Sequence, residues 1–126
     1  MNKQTLNTQN APAAIGPYSQ GVKVGNLIFT SGQLPINTQS GELVADIEGA
    51  TKQSLDNVKA ILESSGSAMD KVIKTVVFLR DMNDFAAMNA VYATYFPSNP
   101  PARSAVEVAR LPKDAIVEIE AIALAE

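Results

Sequence analysis

Apolar residues recur along this chain with two different periods, and the change of period marks the elements. Residues 3 to 7 suit a short edge strand. Residues 18 to 24 and Leu27-Ile-Phe-Thr-Ser31 are strand-like runs joined by Gly25-Asn26, a tight-turn dipeptide that predicts a hairpin. Gly16-Pro17-Tyr18 is a rigid turn delivering Tyr18 to the first run, while Gly32 and Pro35 stop the second. From about Asp46 to Ser65 the period becomes helical, with Ile47, Ala50, Leu55, Val58, Ile61 and Leu62 on one face. Asp46 is placed to cap that helix, and Gly66 stands where a left-handed C-terminal residue belongs. Lys71 to Arg80 is apolar on both faces and reads as a central strand. A second helix spans about Asp84 to Phe96, with Phe85, Met88, Tyr92 and Tyr95 as its stripe and Asn83 or Asp81 as its cap. The prolines of Pro97-Ser-Asn-Pro-Pro101 forbid its continuation.

Two further strands, 103–109 and 115–124, complete a β-β-β-α-β-α-β-β order, an α+β pattern with one mixed sheet. Two helices cover one face of such a sheet. Strands 27–31 and 72–79 nevertheless look apolar on both faces, so self-association is the economical way to cover the other. The last two strands also carry charge in β-branched surroundings. The two-residue period puts Arg103, Ala105 and Glu107 on one face of the first. On the second, Val117, Ile119, Ala121 and Ala123 form the core face, with Glu118 and Glu120 pointing the other way.

Composition narrows the chemistry. A chain of 126 residues, 46% apolar and 18% charged, suits one globular domain. Cysteine and histidine are both absent, which excludes disulfides, thiol nucleophiles, Ser-His-Asp triads and the usual zinc sites. The net charge of −3, with no basic run, argues against a nucleic-acid footprint. The polar N-terminal stretch has no apolar signal core, no run is long enough to span a bilayer, and the expected location is cytoplasmic.

Within those bounds, Arg103 has the planar, permanently charged group suited to a carboxylate, unless it forms a structural ion pair with Glu107 or Glu120. Partial burial would raise the pKa of Glu118 toward general-base values; the bland alternative is a solvated glutamate. Glu120 is read as structural. Tyr18 either meets a substrate or packs, Ser31 contacts a ligand or its local backbone, and Asn89 contacts a ligand or tethers its helix.

Four spaced segments, Ala11-Pro-Ala-Ala-Ile-Gly-Pro-Tyr18, Phe29-Thr-Ser-Gly-Gln-Leu-Pro35, Gln53-Ser-Leu-Asp-Asn-Val58 and Pro101-Ala-Arg-Ser104 with Val106-Glu-Val-Ala-Arg-Leu-Pro112, resemble the RidA (YjgF) family of reactive-intermediate deaminases. The resemblance implies a chorismate-mutase-like α+β fold with two helices on one face of a six-stranded mixed sheet. It also implies a homotrimer with sites in the clefts between subunits. The implied reaction is hydrolysis of 2-imino acids, or their enamine tautomers, to 2-oxo acids and ammonia, without cofactor or metal. It makes Arg103 the carboxylate clamp, Glu118 the water-positioning group, and Tyr18, Ser31 and Asn89 further contacts, with close backbone approach at Gly32. Many members carry cysteine where this chain has Ala105, so only backbone contact remains there. In the implied sheet order, strand 71–79 separates Arg103 from Glu118, which predicts that each site takes the two residues from neighbouring subunits.

Two other readings compete with the deaminase. One is a non-catalytic protein that binds 2-oxo acids or regulates through the same clamp. The other is an RNA-acting protein, disfavoured by the acidic charge and the lack of histidine.

Overall fold

Residues 47–64 are helical because their apolar side chains repeat at helical spacing and both ends are capped. The Asp46 carboxylate accepts from the Gly49 amide at 2.8 Å. At the other end Gly66, at φ +86°, closes a Schellman motif: its amide donates to Glu63 and that of Ser67 to Leu62. In this computed structural model all residues, Met1–Glu126, are described. The elements are β1 (Gln4–Leu6), β2 (Gly21–Val24), β3 (Leu27–Thr30), α1 (Ile47–Ser64), β4 (Val72–Leu79), α2 (Phe85–Tyr95), β5 (Ala102–Glu107) and β6 (Val117–Leu124). Short 3₁₀ turns occupy residues 69–71, 82–84 and 112–114. No helix is long and apolar enough to cross a membrane.

The six strands form one sheet in the order β1-β2-β3-β6-β4-β5. All neighbours are antiparallel except β4 and β5, a parallel pair joined by the crossover that contains α2. As expected, β5 is the edge strand and β4 separates it from β6. The β2–β3 hairpin closes through Gly25-Asn26, with Gly25 at φ +56°.

Both helices pack on one face. Leu55, Val58, Ile61 and Leu62 of α1 and Met88 of α2 are buried there against Ile28, Val77, Leu79, Val117 and Ile119. Truncating one of the buried leucines to alanine should cost roughly 2–5 kcal/mol. The opposite face has no cover. Phe29, Val106 and Leu124 are exposed on it, beside half-buried Val76, Phe78 and Ile122. The sheet is thus apolar on both faces, as the continuous apolar runs of β3 and β4 predict.

Three local expectations need correction. Strand β2 starts at Gly21, not residue 18, because the buried Gln20 side chain ties back to Thr8, Ala11 and Pro12 and leaves Tyr18 in a bend. The strand expected to run to residue 109 ends at Glu107, whose carboxylate accepts from the Met82 amide at 2.8 Å. Neither Asn83 nor Asp81 caps α2; Asp81 instead accepts from the Asn83 amide and caps the 3₁₀ turn leading into it.

Candidate active site

Among the glycines, Gly32 has the least room for a side chain, because Glu118 lies against it. After β3 the chain crosses onto β6, where Gln33 and Ile119 exchange backbone hydrogen bonds of 2.8 and 3.1 Å. This crossing lays Gly32 directly over the Glu118 side chain. A Cβ at position 32 would stand 2.8 Å from the carboxyl carbon and 3.0 Å from Cγ, so only glycine fits without displacing the carboxylate. Glu118 lies opposite Phe78 on the uncovered face and is half-buried. Burial pushes its pKa above the usual carboxylate range, and the neighbouring Glu120 charge pushes it further the same way. No hydrogen bond or salt bridge within the chain offsets either effect. A desolvated carboxylate without a partner is the arrangement a general base requires.

The carboxylate opens into a cavity of about 570 Å³, which also receives Tyr18 and Ser31. Ile15, Leu34 and Ile36 give it apolar lining, and Asn37, Thr38 and Lys113 line it as well. Two buried side-chain amides hold its walls. Gln20 accepts from the Thr8 amide and donates to the Thr8, Ala11 and Pro12 carbonyls, fixing the segment before Tyr18. Asn57 on α1 donates to the Leu34 and Ile36 carbonyls, both at 3.1 Å, and accepts from Gln53 at 2.9 Å. Ser31 donates its hydroxyl proton to the Ser19 carbonyl at 2.6 Å, so toward a ligand this oxygen can only accept. The Tyr18 side chain is exposed.

Arg103, Asn89 and Ala105 lie elsewhere. Arg103 is opposite Thr75 on edge strand β5, on the helix-covered face. Its guanidinium sits 4.7 Å from the Tyr92 ring centre and 5.4 Å from that of Phe85, and donates to Asn89 Oδ1 at 2.6 Å. The Tyr92 hydroxyl is in turn held at 2.7 Å by Thr75. Arg103 is therefore aimed by two aromatic faces and an amide, with no carboxylate paired to it; the alternative ion pairs with Glu107 and Glu120 do not form. Ala105 is two residues further along the same face, packed against the core.

The structure thus brings Tyr18, Ser31, Gly32 and Glu118 together, and separately brings Arg103 and Asn89 together. The pairing register makes Glu118 a neighbour of Phe78 and Val106, two strands across and three residues along from Arg103. The two backbones are then about 14 Å apart, with side chains leaving opposite faces.

Sequence reasoning missed Lys113. In Leu-Pro-Lys-Asp it looks like any solvated turn lysine, and no local signal marks it. Lys113 and Asp114 both adopt left-handed backbone, at φ +58° and +56°. For non-glycine residues this costs about 1–2 kcal/mol each. The turn is held by Arg80, which donates to the Asp114 carbonyl at 3.1 Å, and by an exposed Arg110–Asp114 ion pair at 2.9 Å.

Fold and site together define a small α+β protein with a desolvated carboxylate in a ligand-sized cavity and a preorganised arginine on the opposite face. The chain belongs to the RidA (YjgF) family: the model described as endoribonuclease L-PSP matches residues 8–125. It is 56% identical to an Escherichia coli 2-iminobutanoate/2-iminopropanoate deaminase, over 96% of this chain and 97% of that protein. Among solved structures, the E. coli YjgF gene product superposes with a TM-score of 0.93 at 56% identity, covering 96% of this chain and 98% of that one. E. coli TdcF with bound serine gives 0.93 at 50% identity, with the same coverage. The α+β architecture expected from the four motifs is the one found.

Proposed function

We propose that the protein is a hydrolytic deaminase that converts 2-imino acids, of the 2-iminopropanoate and 2-iminobutanoate type, and their enamine tautomers into 2-oxo acids and ammonia. The observation that carries this reading is the Glu118 carboxylate, desolvated and unpaired beneath Gly32 in a cavity that also receives Tyr18 and Ser31. The name of its E. coli deaminase relative, given above, supports the same reaction.

In this mechanism a guanidinium clamps the substrate carboxylate and leaves C2 over Glu118. Glu118 takes a proton from water as the water oxygen bonds to C2 and the C=N pair moves to nitrogen. The nitrogen of the resulting carbinolamine is protonated, the C–N bond breaks, ammonia leaves, and the hydroxyl proton is lost as C2=O forms. An enamine first receives a proton at C3 from the neutral Glu118 acid, and the raised pKa brings that form nearer to neutral pH. Tyr18 hydrogen-bonds the substrate or relays a proton. Ser31 and the Gly32 backbone line the approach, and Asn89 orients the clamp.

Within one chain Arg103 and Glu118 are too far apart for a three-carbon acid to touch both. The reading therefore includes a homotrimer in which the Arg103, Asn89 and Ala105 backbone half of one subunit faces the Glu118 half of the next. The uncovered apolar face supports such an assembly. It also includes a cytoplasmic location, no cofactor, and no nucleic-acid partner. The endoribonuclease name of the family model finds little support in a net charge of −3 without a basic run.

The experiment is to generate imines in situ with an amino-acid oxidase acting on alanine and on 2-aminobutyrate, and to follow capture of the imine by semicarbazide. A deaminase diverts the imine to 2-oxo acid and lowers the semicarbazone yield. An unchanged yield at high protein concentration would leave 2-oxo-acid binding without turnover as the better reading.

A further inference from the structure

We propose that Lys113 recognises the far end of a longer substrate side chain, so that the cavity also accepts 2-imino acids with an aliphatic middle and a terminal carboxylate. This rests on the reading of Glu118 as the hydrolytic end. The cavity of about 570 Å³, before a neighbouring subunit's Arg103 half is set against it, is larger than a three-carbon acid needs. Its polarity changes along its length. Gln33 and Ile119 pair antiparallel, so segment 33–38 and the segment running back from 119 to 113 leave that bridge in the same direction. By that register Glu118 stands beside Leu34, its carboxylate reaching back under Gly32, while Ile36 and then Asn37, Thr38 and Lys113 lie further along.

The far end is rich in donors. Lys113 is the one cation among the lining residues and takes part in neither of the chain's salt bridges. Asn37 spends its side-chain oxygen on the Gln39 and Ser40 amides, at 2.9 and 3.0 Å, which leaves its NH₂ free to donate. A free ammonium and a free amide NH₂ are complementary to an anionic acceptor. The lysine is also presented by left-handed backbone, a conformation that lysine adopts only where the surroundings impose it and that gathers at ligand sites.

The test compares wild type, Lys113→Gln and Lys113→Glu on imines generated from alanine, leucine, glutamate and 2-aminoadipate. We expect Lys113→Glu to lower kcat/KM for the two acidic imines at least tenfold more than for the alanine imine, with Lys113→Gln between. An equal loss on every substrate would assign Lys113 to the shared carboxylate or to steering, and no loss would make it a solvated turn residue; either overturns the proposal. Calorimetric binding of 2-oxoglutarate, 2-oxoadipate and pyruvate separates this from the deaminase reading. If wild type turns over no imine, the proposed function fails, and the Lys113 proposal then stands only if the two dicarboxylates bind tighter than pyruvate and lose that advantage in Lys113→Glu. Thermal melts of the variants, expected to match wild type, exclude misfolding as the cause.

Discussion

The Gly32–Glu118 end of the cavity and the Arg103 edge treat charge in opposite ways. Around Glu118 the protein removes solvent, adds a like charge at Glu120 and supplies no partner, so the proton is held more tightly than on an ordinary carboxylate. Around Arg103 it supplies aromatic faces and an amide oxygen, which fix the guanidinium without neutralising it. In the proposed mechanism one region exchanges protons and the other holds an anion. They leave the sheet on opposite faces. In the proposed assembly each carries what the other lacks. An edge strand is well suited to the anion-holding half, since nothing in the same chain lies beyond it.

The largest effect should come from the proton-exchanging half. Glu118→Gln keeps the shape and one acceptor oxygen but removes the base, and turnover of 2-iminopropanoate should fall roughly 10²–10⁴-fold with little change in product affinity. Stopped-flow or trapping kinetics would show this, and full activity would reduce Glu118 to a structural residue.

Arg103→Ala tests the other half. Losing the clamp should cost about 2–5 kcal/mol in kcat/KM. Arg103→Lys should recover little of it, because a point charge reproduces neither the fork nor the stacking on Phe85 and Tyr92. A lysine variant close to wild type would show that the aromatic and Asn89 contacts serve the fold and not the ligand.

Whether the halves meet across subunits can be asked by mixing. Arg103→Ala and Glu118→Gln chains, each inactive alone, would be unfolded together in equal amounts and refolded. If assortment is random and each site takes one half from each of two neighbours, about a quarter of the sites regain both intact groups. Recovery of that order, tracked against mixed oligomers in native mass spectrometry, sharpens the comparison. Mixed oligomers with no recovery would break it.

Much of this contrast is legible in the sequence. Period-2 alternation placed Arg103 on one face of its strand and Glu118 off the core face of another, and the motifs supplied the strand between them. The helix at 47–64 was legible because periodicity, Asp46 and Gly66 agreed. What was not legible depends on long-range contact. Asn89 has no sequence signal for a bond to a residue fourteen positions away, and Gln20 and Asn57 read as ordinary polar residues until the loops they hold are seen. Lys113 was invisible because its distinguishing features are a backbone angle and a cavity, neither of which a lysine in a turn announces. Tyr18 was placed in a strand because the buried Gln20 amide, which competes with strand pairing there, cannot be seen in the local pattern.

The smallest predicted effect is on stability. Because the folded-state pKa of Glu118 is raised, the folded protein holds this proton more tightly than the unfolded chain does. Its contribution is most favourable below the unfolded-state pKa and is lost as pH rises through the folded-state value, so at neutral pH the ionised carboxylate is a burden on the fold. Glu118→Gln lifts that burden. Half-burial leaves much of the carboxylate's hydration in place, so the rise in Tm at pH 7 should be small, on the order of 1–2 °C. The difference from wild type should shrink as pH falls and vanish near pH 4, about where an unperturbed glutamate takes up its proton. Arg103→Gln, which removes no carboxylate, should show no such convergence. Calorimetric scans of both variants between pH 4 and pH 8 would show it. A Glu118→Gln protein less stable than wild type at pH 7 would mean that the carboxylate has a partner in the assembled protein, and that the region around it is not the unpaired half described here.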